Sequence, residues 1–172
     1  RMTSNGLFQT SGYYSMLFES GLDYLTISVD SLDQSTADIV RCGTDVEKLK
    51  VLLKETLSKH ASKMNINIVV GKSNHPSIEQ VLRYISSVLP NDQELKVKIS
   101  TYGDWGSDAE CLNLAELGTL SEELVAWRIK FPNLSFRTSF NQRITEWYEC
   151  DWSWNSFAIH PDGILIPCTN SM

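Results

Sequence analysis

The stretch that decides the fold is Leu22-Asp-Tyr-Leu-Thr-Ile-Ser-Val29, which is followed at once by Asp30-Ser31. It is mostly apolar and contains β-branched residues, a composition typical of a strand buried in a parallel sheet. A second run of this kind, Asn67-Ile-Val-Val70, ends at Gly71. Both runs predict buried strands whose carboxyl ends open into short polar or glycine-containing loops.

Segments with helical spacing separate the strands. Apolar residues recur in them every three or four positions, and several begin at residues favoured at helix starts. The predicted helices are Gly12–Ser20, Asp33–Val40, one opened by Asp45, one opened by Pro76 and one from about Ser121 to Lys130. Further strands are predicted at Leu95–Ser100 and Leu134–Arg137. This alternation predicts right-handed βαβ units and a parallel sheet, and therefore an α/β fold.

Ligands of parallel α/β folds bind at the carboxyl ends of the strands. Ser28 and Asp30 alternate along their strand, so both side chains can point the same way from its end. Short polar groups at that place can reach a ligand without filling its pocket, although the turn chemistry that ends a strand would explain them equally well. Lys72 and Asn74, after the next strand, are further polar candidates at the mouth of the site.

The composition is that of an ordinary globular protein. The 172 residues are enough for one domain with a sizeable core, and 42% of them are apolar and 21% charged. A net charge of -6 and a pI near 5.0 argue against a nucleic-acid backbone or an anionic membrane as the main partner. The cysteines lie far apart and nothing else indicates secretion, so the expected location is the cytoplasm.

Two cysteines, Cys150 and Cys168, bracket a strand, a Pro-Asp-Gly turn and a second strand. A hairpin turned by Asp162-Gly163 would bring both thiols to the same end of two paired strands. That placement suits thiolate ligation of a metal or an iron–sulfur cluster. Buried structural thiols and a cross-strand disulfide are the open alternatives. Cys42 and Cys111 match no ligand position, and we expect both to be buried thiols.

The spacing of these cysteines carries a resemblance to a family. Cys150 and Gly163 are separated by twelve residues, and Gly163 and Cys168 by four. After a run of βα units, this resembles the opening of the SPASM or twitch auxiliary-cluster domain of radical S-adenosylmethionine enzymes. Further segments are similar to that family in the family's own order. They are Ser4-Asn5-Gly6, Leu25-Thr-Ile-Ser-Val-Asp-Ser31 and Gly103-Asp-Trp-Gly106.

The resemblance extends over essentially the whole chain and implies its architecture. Residues 1–143 would form the later βα units of a partial (β/α)6 TIM-like barrel. Residues 144–172 would form the start of a small Cys-bearing β-hairpin domain of the SPASM or twitch type. Independently of the resemblance, charged and apolar residues alternate in Leu95–Ser100, which predicts that this strand has one exposed face or lies near an edge.

The resemblance also implies site residues. The residues it assigns to S-adenosylmethionine are Asn5, Ser28, Asp30 and Arg41. Arg41 would bind the methionine carboxylate through its planar fork, and a solvated surface charge is the open alternative for it. Cys150 and Cys168 would be ligands of the auxiliary iron–sulfur cluster. No catalytic residue is assigned.

The activity implied is radical chemistry. In the family, a reduced 4Fe-4S cluster cleaves S-adenosylmethionine, and the 5′-deoxyadenosyl radical then takes a hydrogen atom from the substrate. The expected substrate is a peptide or a small molecule, so the parent would be a peptide or protein maturase or a sugar-modifying enzyme. The expected redox partner is an electron donor such as flavodoxin or ferredoxin.

One departure from the family is decisive for activity. The Cys-x3-Cys-x2-Cys loop that holds the catalytic cluster is absent, and the chain opens on Arg1 in what reads as the end of a strand. We therefore expect a fragment that is inactive alone. The alternatives are a non-enzymatic α/β binding module with a structural zinc or iron–sulfur site, and a complete small flavodoxin-like domain.

The remaining candidates are weaker. Asp104 and Trp105 would border the substrate or form a packed, capped loop. His60 and His75 are expected at the surface, and His160 is expected to be a turn residue rather than a metal ligand.

Overall fold

In a computed structural model of the chain, the structure describes residues 1–7, 10–102, 109–138, 158–159 and 165–166. The chain divides into two compact units, Arg1–Ser139 and Phe140–Met172. The sequence-based boundary between residues 143 and 144 lies outside the described residues and stays a prediction.

The first unit contains a five-stranded parallel sheet with helices between its strands. The strands are β1 (Met2–Ser4), β2 (Leu25–Ser28), β3 (Met64–Val70), β4 (Leu95–Thr101) and β5 (Leu134–Thr138). The helices are α1 (Ser11–Glu19), α2 (Gln34–Val40), α3 (Val46–His60), α4 (Ile78–Val88) and α5 (Leu114–Lys130), with 3-10 turns at Ala61–Lys63 and His75–Ser77. All four neighbouring strand pairs are parallel. The predicted α/β fold is confirmed.

The order of the strands distinguishes a partial barrel from a flavodoxin-like sheet. The order is β1-β2-β3-β4-β5, so each strand is added on the same side of the one before it. A doubly wound, flavodoxin-like sheet reverses its order at a switch point, whereas a barrel does not. The order agrees with an arc of a barrel and disagrees with the flavodoxin-like alternative.

The sheet has one apolar and one polar face. On the apolar face, Leu25, Ile27, Ile66, Ile68, Val97 and Ile99 are completely buried. Helix α3 packs on this side of the sheet, and Leu52 of α3 and Ile27 of β2 both lie against Gly6. A Cβ at Gly6 would be 2.8 Å from the Leu52 side chain and 3.5 Å from that of Ile27. Gly6 also has a positive φ of 75°, which favours glycine. Right-handed crossovers between strands added in one direction keep the helices on this side of the sheet.

The opposite side of β2 to β5 is here called the polar face. Its residues are Thr26, Ser28, Asn65, Asn67, Val69, Lys96, Lys98, Ser100, Ser135 and Arg137, of which Val69 alone is apolar. On β4 every second residue is exposed, with Lys96 and Lys98 outward and Leu95, Val97 and Ile99 buried. The expectation of one exposed face on this strand is confirmed, and within the described sheet β4 lies between β3 and β5 rather than at an edge.

Helix α5 begins at Leu114, well before the predicted start near Ser121. Asn113 and Glu116 form a capping box. The Asn113 side chain accepts from the Glu116 N–H at 3.0 Å, and the Glu116 carboxylate accepts from the Asn113 N–H at 2.7 Å. This reciprocal cap satisfies two otherwise unpaired N–H groups and sets the earlier start.

Among the helices that the structure describes, none is long and apolar enough to cross a membrane. The cytoplasmic location stays a prediction.

In the second unit, β6 (Ala158–Ile159) pairs antiparallel with β7 (Leu165–Ile166). The pair spans the Pro-Asp-Gly segment where the hairpin was predicted. Cys150, Gly163 and Cys168 lie outside the described residues, so the auxiliary-cluster domain stays a prediction.

Candidate functional site

A small pocket opens at the carboxyl end of β2. Its polar lining is Asn5, Ser28, Asp30, Ser31, Arg41 and Thr44. The cavity measures about 10 Å³, which is room for about one water molecule. The four residues that the resemblance assigned to S-adenosylmethionine thus line one pocket, although their role in binding stays a prediction.

The pocket contains an ion pair between Asp30 and Arg41. Arg41 Nη2 donates to Asp30 Oδ2 at 2.5 Å, and the two side chains are 30% and 3% exposed, respectively. The second carboxylate oxygen, Asp30 Oδ1, accepts from the Val69 N–H at 2.8 Å. Both oxygens of Asp30 are therefore engaged inside the protein. Within the described residues Asp30 is the one acceptor for the Arg41 guanidinium, which carries five N–H groups.

Helix α2 places Arg41 over the pocket. Asp33 caps the helix and accepts from the hydroxyl of Ser35 at 2.6 Å and from the N–H of Thr36 at 2.9 Å. These hydrogen bonds, that of Ser35 first, hold the pKa of the Asp33 carboxyl below its usual value. At the other end, the Arg41 carbonyl accepts from the Thr44 hydroxyl at 2.9 Å. The backbone of Arg41 is thereby fixed while its side chain reaches back to Asp30.

Two further lining residues offer polar groups that have no partner among the described residues. Ser28 is 9% exposed and lines the pocket, and its hydroxyl makes no hydrogen bond within the part of the chain that the structure describes. Asn5 uses Oδ1 to accept from the Leu7 N–H at 3.2 Å, while its NH₂ group has no acceptor among the described residues. A hydroxyl, an amide and a partly exposed guanidinium therefore converge on this pocket.

Asn74 lies beneath the site rather than in its mouth. Its side chain is completely buried, and Nδ2 donates to the carbonyls of Asp30 at 2.8 Å and Val69 at 2.9 Å. Its Oδ1 accepts from the Gly71 N–H at 2.8 Å. The prediction that Asn74 is a polar group in the mouth is wrong, because this amide is buried and bonds to the backbone of Val69 and Gly71 at the end of β3 and of Asp30 after β2. Lys72 is exposed, as a mouth residue requires.

A second cluster beside the pocket was missed by the sequence interpretation. Glu110 accepts from the N–H of Ser73 at 3.1 Å and from its hydroxyl at 2.5 Å. A Cβ on Gly71 would lie 2.7 Å from Glu110 Oε2 and 2.8 Å from the Tyr102 ring. Burial raises the pKa of the Tyr102 phenol, and the carboxylates of Asp30 and Glu110 raise it further. Gly71, which directly follows β3, was the one indication in the sequence of a close contact at this place. Its neighbours Tyr102 and Glu110 come later in the chain, after β4, so the sequence did not identify them.

The described residues do not provide a ligand set for an iron–sulfur cluster. No group of three or more His, Cys, Asp or Glu residues is placed to hold a metal in that part of the chain. Cys42 is exposed and Cys111 is partly exposed, so the expectation that both are buried thiols is wrong. Cys150, Cys168, Asp104, Trp105 and His160 lie outside the described residues, and the expectations for them stay predictions.

His60 and His75 are less exposed than expected. His60 Nε2 lies 3.0 Å from the Ser15 hydroxyl, and its ring packs on Phe18 with centroids 4.6 Å apart. His75, with 16% of its side chain exposed, lies 2.6 Å from the Glu123 carboxylate on α5. Each of them joins two elements instead of facing solvent freely.

Two known proteins are similar to this chain, one in structure and one in sequence. The fold is similar to that of Streptococcus suis SuiB bound to S-adenosylmethionine, with a TM-score of 0.66 and 17% identity. The match covers 97% of this chain and 42% of SuiB. The chain has the fold of that part of SuiB.

A sequence relative covers the same region. The tungsten-containing aldehyde ferredoxin oxidoreductase cofactor-modifying protein of Pyrococcus furiosus is 24% identical over 174 residues, which is 97% of this chain and 48% of that protein. No protein-family model matches the chain. The chain thus spans less than half the length of each of these two proteins.

Proposed function

We propose that these residues form the S-adenosylmethionine-binding part of a radical S-adenosylmethionine enzyme that acts as a maturase. The observation that carries the proposal is the convergence of Asn5, Ser28, Asp30 and Arg41 on one pocket at the carboxyl end of a parallel sheet. Two comparisons support it. A protein of this fold, SuiB, binds S-adenosylmethionine, and a sequence relative carries the name of a cofactor-modifying protein.

The residues of the pocket fit the amino-acid end of S-adenosylmethionine. The partly exposed Arg41 guanidinium can bind the carboxylate through N–H groups that Asp30 leaves uncommitted. The Ser28 hydroxyl and the Asn5 amide can bind the other polar groups at the amino-acid end of S-adenosylmethionine. Because the cavity holds about one water molecule, only an end group of the ligand enters it, and the rest lies outside. In such enzymes S-adenosylmethionine supplies hydrogen abstraction when it is bound.

Binding can be measured on the full-length protein by calorimetric titration with S-adenosylmethionine. We expect Arg41→Gln and Ser28→Ala to weaken binding, Arg41→Gln by about tenfold or more since a charge-assisted hydrogen bond is lost. The matched controls are Arg128→Gln and Ser87→Ala, which change exposed residues of α5 and α4. An affinity that is unchanged in both pocket variants, or no binding to the unmodified protein, would rule the proposal out.

The auxiliary cluster is a separate part of the proposal. Cys150 and Cys168 would supply two of its thiolates, and an electron donor such as flavodoxin or ferredoxin would serve the enzyme. After anaerobic reconstitution of the full-length protein, Cys150→Ala with Cys168→Ala should lower bound iron and sulfide. The control pair is Cys42→Ala with Cys111→Ala, which should retain them. Equal iron in both double variants would refute ligation by Cys150 and Cys168.

A further inference from the structure

The polar face carries a cluster of positive charges in a defined register. Lys98 on β4 is paired with Asn67 on β3 and with Arg137 on β5, and Asn67 is paired with Ser28 on β2. Residues paired in a parallel sheet point to the same side, and residues two apart on a strand do as well. Lys96, Lys98 and Arg137 therefore project together from one face.

These three cations have no carboxylate partner in the part of the chain that the structure describes. All three side chains are exposed. Five other cations are paired with acids, namely Arg41, Lys48, Lys50, Arg83 and Lys130. Among the described residues, Arg1, Lys54, Lys59, Lys63, Lys72 and Arg128 also have no acidic partner, but they lie outside the paired strands. Among the paired strand positions of the polar face there is no Asp or Glu. Asp30, two residues beyond Ser28, is paired with Arg41, and Glu94 precedes Lys96 by two residues.

Clustering these charges is unfavourable without an anion. Neighbouring strands lie about 4.8 Å apart, and like charges directly opposite each other destabilise a sheet. The fold does not need lysine here, because a half-exposed strand position accepts threonine or valine better. A bound anion would remove the repulsion and would be held by Arg137 through its fork and by the lysines as point charges.

The cluster is continuous with the pocket. Ser28 belongs to the same register row as Lys98 and Arg137, and it lines the pocket with Arg41. A molecule that lies over the polar face would therefore have one end beside the ligand of the pocket. No comparable run of unpaired cations occurs on the described helices, where the exposed charges are of both signs.

We propose that Lys96, Lys98 and Arg137 bind an anionic group, carboxylate or phosphate, of the substrate. The inference rests on the proposed function only in taking this ligand as the molecule on which the bound S-adenosylmethionine acts. It defines the substrate class as one that carries at least one carboxylate or phosphate. The two chemistries share the site, and the test below distinguishes them.

The experiment uses the full-length protein and two probes, pyrophosphate and a triglutamate peptide, titrated calorimetrically at low and at high salt. The face variant is Lys96→Gln with Lys98→Gln and Arg137→Gln. The control variant removes the same charge from exposed helical positions, as Lys54→Gln with Lys59→Gln and Arg128→Gln. We expect the face variant to bind the preferred probe at least about tenfold more weakly, with the control unchanged. The preferred probe identifies phosphate or carboxylate.

Other readouts separate this inference from misfolding and from the proposed function. Lys98→Arg keeps the charge and should retain probe binding, while circular dichroism should show the fold of the face variant intact. Equal losses in the face and control variants, or no binding of either probe, would overturn the inference. The face variant should still bind S-adenosylmethionine. If the unmodified protein binds a probe through this face but does not bind S-adenosylmethionine, the anion site stands and the proposed function fails.

Discussion

The carboxylate of Asp30 is almost completely buried, yet it lies 2.5 Å from Nη2 of Arg41, which is partly exposed. The charge of Asp30 is satisfied inside the protein by this guanidinium and by the Val69 N–H. Of these two residues, only Arg41 keeps hydrogen-bond donors that Asp30 does not occupy. This arrangement predicts that Asp30 positions Arg41 and acts on a ligand of the pocket only through it.

A double-mutant cycle tests that role. Asp30→Asn preserves an acceptor for the Val69 N–H but removes the charge that orients Arg41. We expect Asp30→Asn to weaken S-adenosylmethionine binding by roughly the same factor as Arg41→Gln, and to add almost nothing in the Arg41→Gln background, because coupled residues are not additive. Calorimetric affinities of the four proteins give the coupling, with Asp92→Asn as the exposed control. Fully additive effects would mean that Asp30 contacts the ligand itself.

Asn74 should be the polar residue on which the stability of the site depends most. Asn74→Ala removes three hydrogen bonds and leaves the Gly71 N–H and the Asp30 carbonyl without their buried partner. Since an unsatisfied buried group costs about 1–3 kcal/mol, we expect a loss of about 2–4 kcal/mol in the free energy of unfolding. Urea denaturation measures it. Asn91→Ala at an exposed position should change this free energy by less than about 0.5 kcal/mol; similar values for both would contradict the assignment.

Two glycine-to-alanine substitutions should change the stability of the protein in opposite directions. A Cβ on Gly71 would come within 2.8 Å of Glu110 and Tyr102, so Gly71→Ala has to displace both. Overpacking of this kind costs about 1–3 kcal/mol. Gly118 lies within α5 and has nothing within 4 Å of its Cβ position. Gly118→Ala should stabilise the protein by up to about 1 kcal/mol through helix propensity. The melting temperatures of the two variants measure both effects. An unchanged melting temperature for Gly71→Ala would show that Glu110 and Tyr102 move aside without cost.

Local patterns were sufficient to predict the sheet. The buried strands are short apolar runs that end in polar loops, and their alternation with helices indicated parallel pairing. The start of α5 was missed although Leu114, Leu117 and Leu120 recur at helical spacing, because Gly118 interrupts this segment. The capping-box pair Asn113 and Glu116 was the better signal there.

The predicted residues of the site lie at or shortly after the ends of two neighbouring strands, with Asn5 directly after β1. Ser28, Asp30 and Arg41 come from the end of β2 and the helix after it, so the sequence keeps them together. Asn74 and Glu110 come from two other loops, and their hydrogen bonds depend on how those loops pack. The positive cluster of the polar face was equally hidden, because the pairing of Lys98 with Arg137 is a matter of strand register.

His60, at the end of α3, should make the stability of the protein depend on pH. Its ring is packed on Phe18 and lies beside the Ser15 hydroxyl. Burial lowers the pKa of His60, the charges of Lys59 and Lys63 lower it further, and Glu19 opposes them. The folded protein therefore favours the neutral imidazole.

The sign of the resulting effect is fixed by linkage. The unfolded chain protonates His60 with a pKa of about 6.5, so between the folded and unfolded pKa values the unfolded state binds more protons. Stability should rise with pH through this window and should be lost as the pH falls from about 7 to about 5. His60→Gln removes this titration, so the free energy of unfolding from urea titrations should depend less on pH than in the unmodified protein. Between about pH 8 and pH 9 the two proteins should show parallel curves, since His60 is neutral there in both states. A pH dependence that His60→Gln leaves unchanged below pH 7 would assign the effect to other groups.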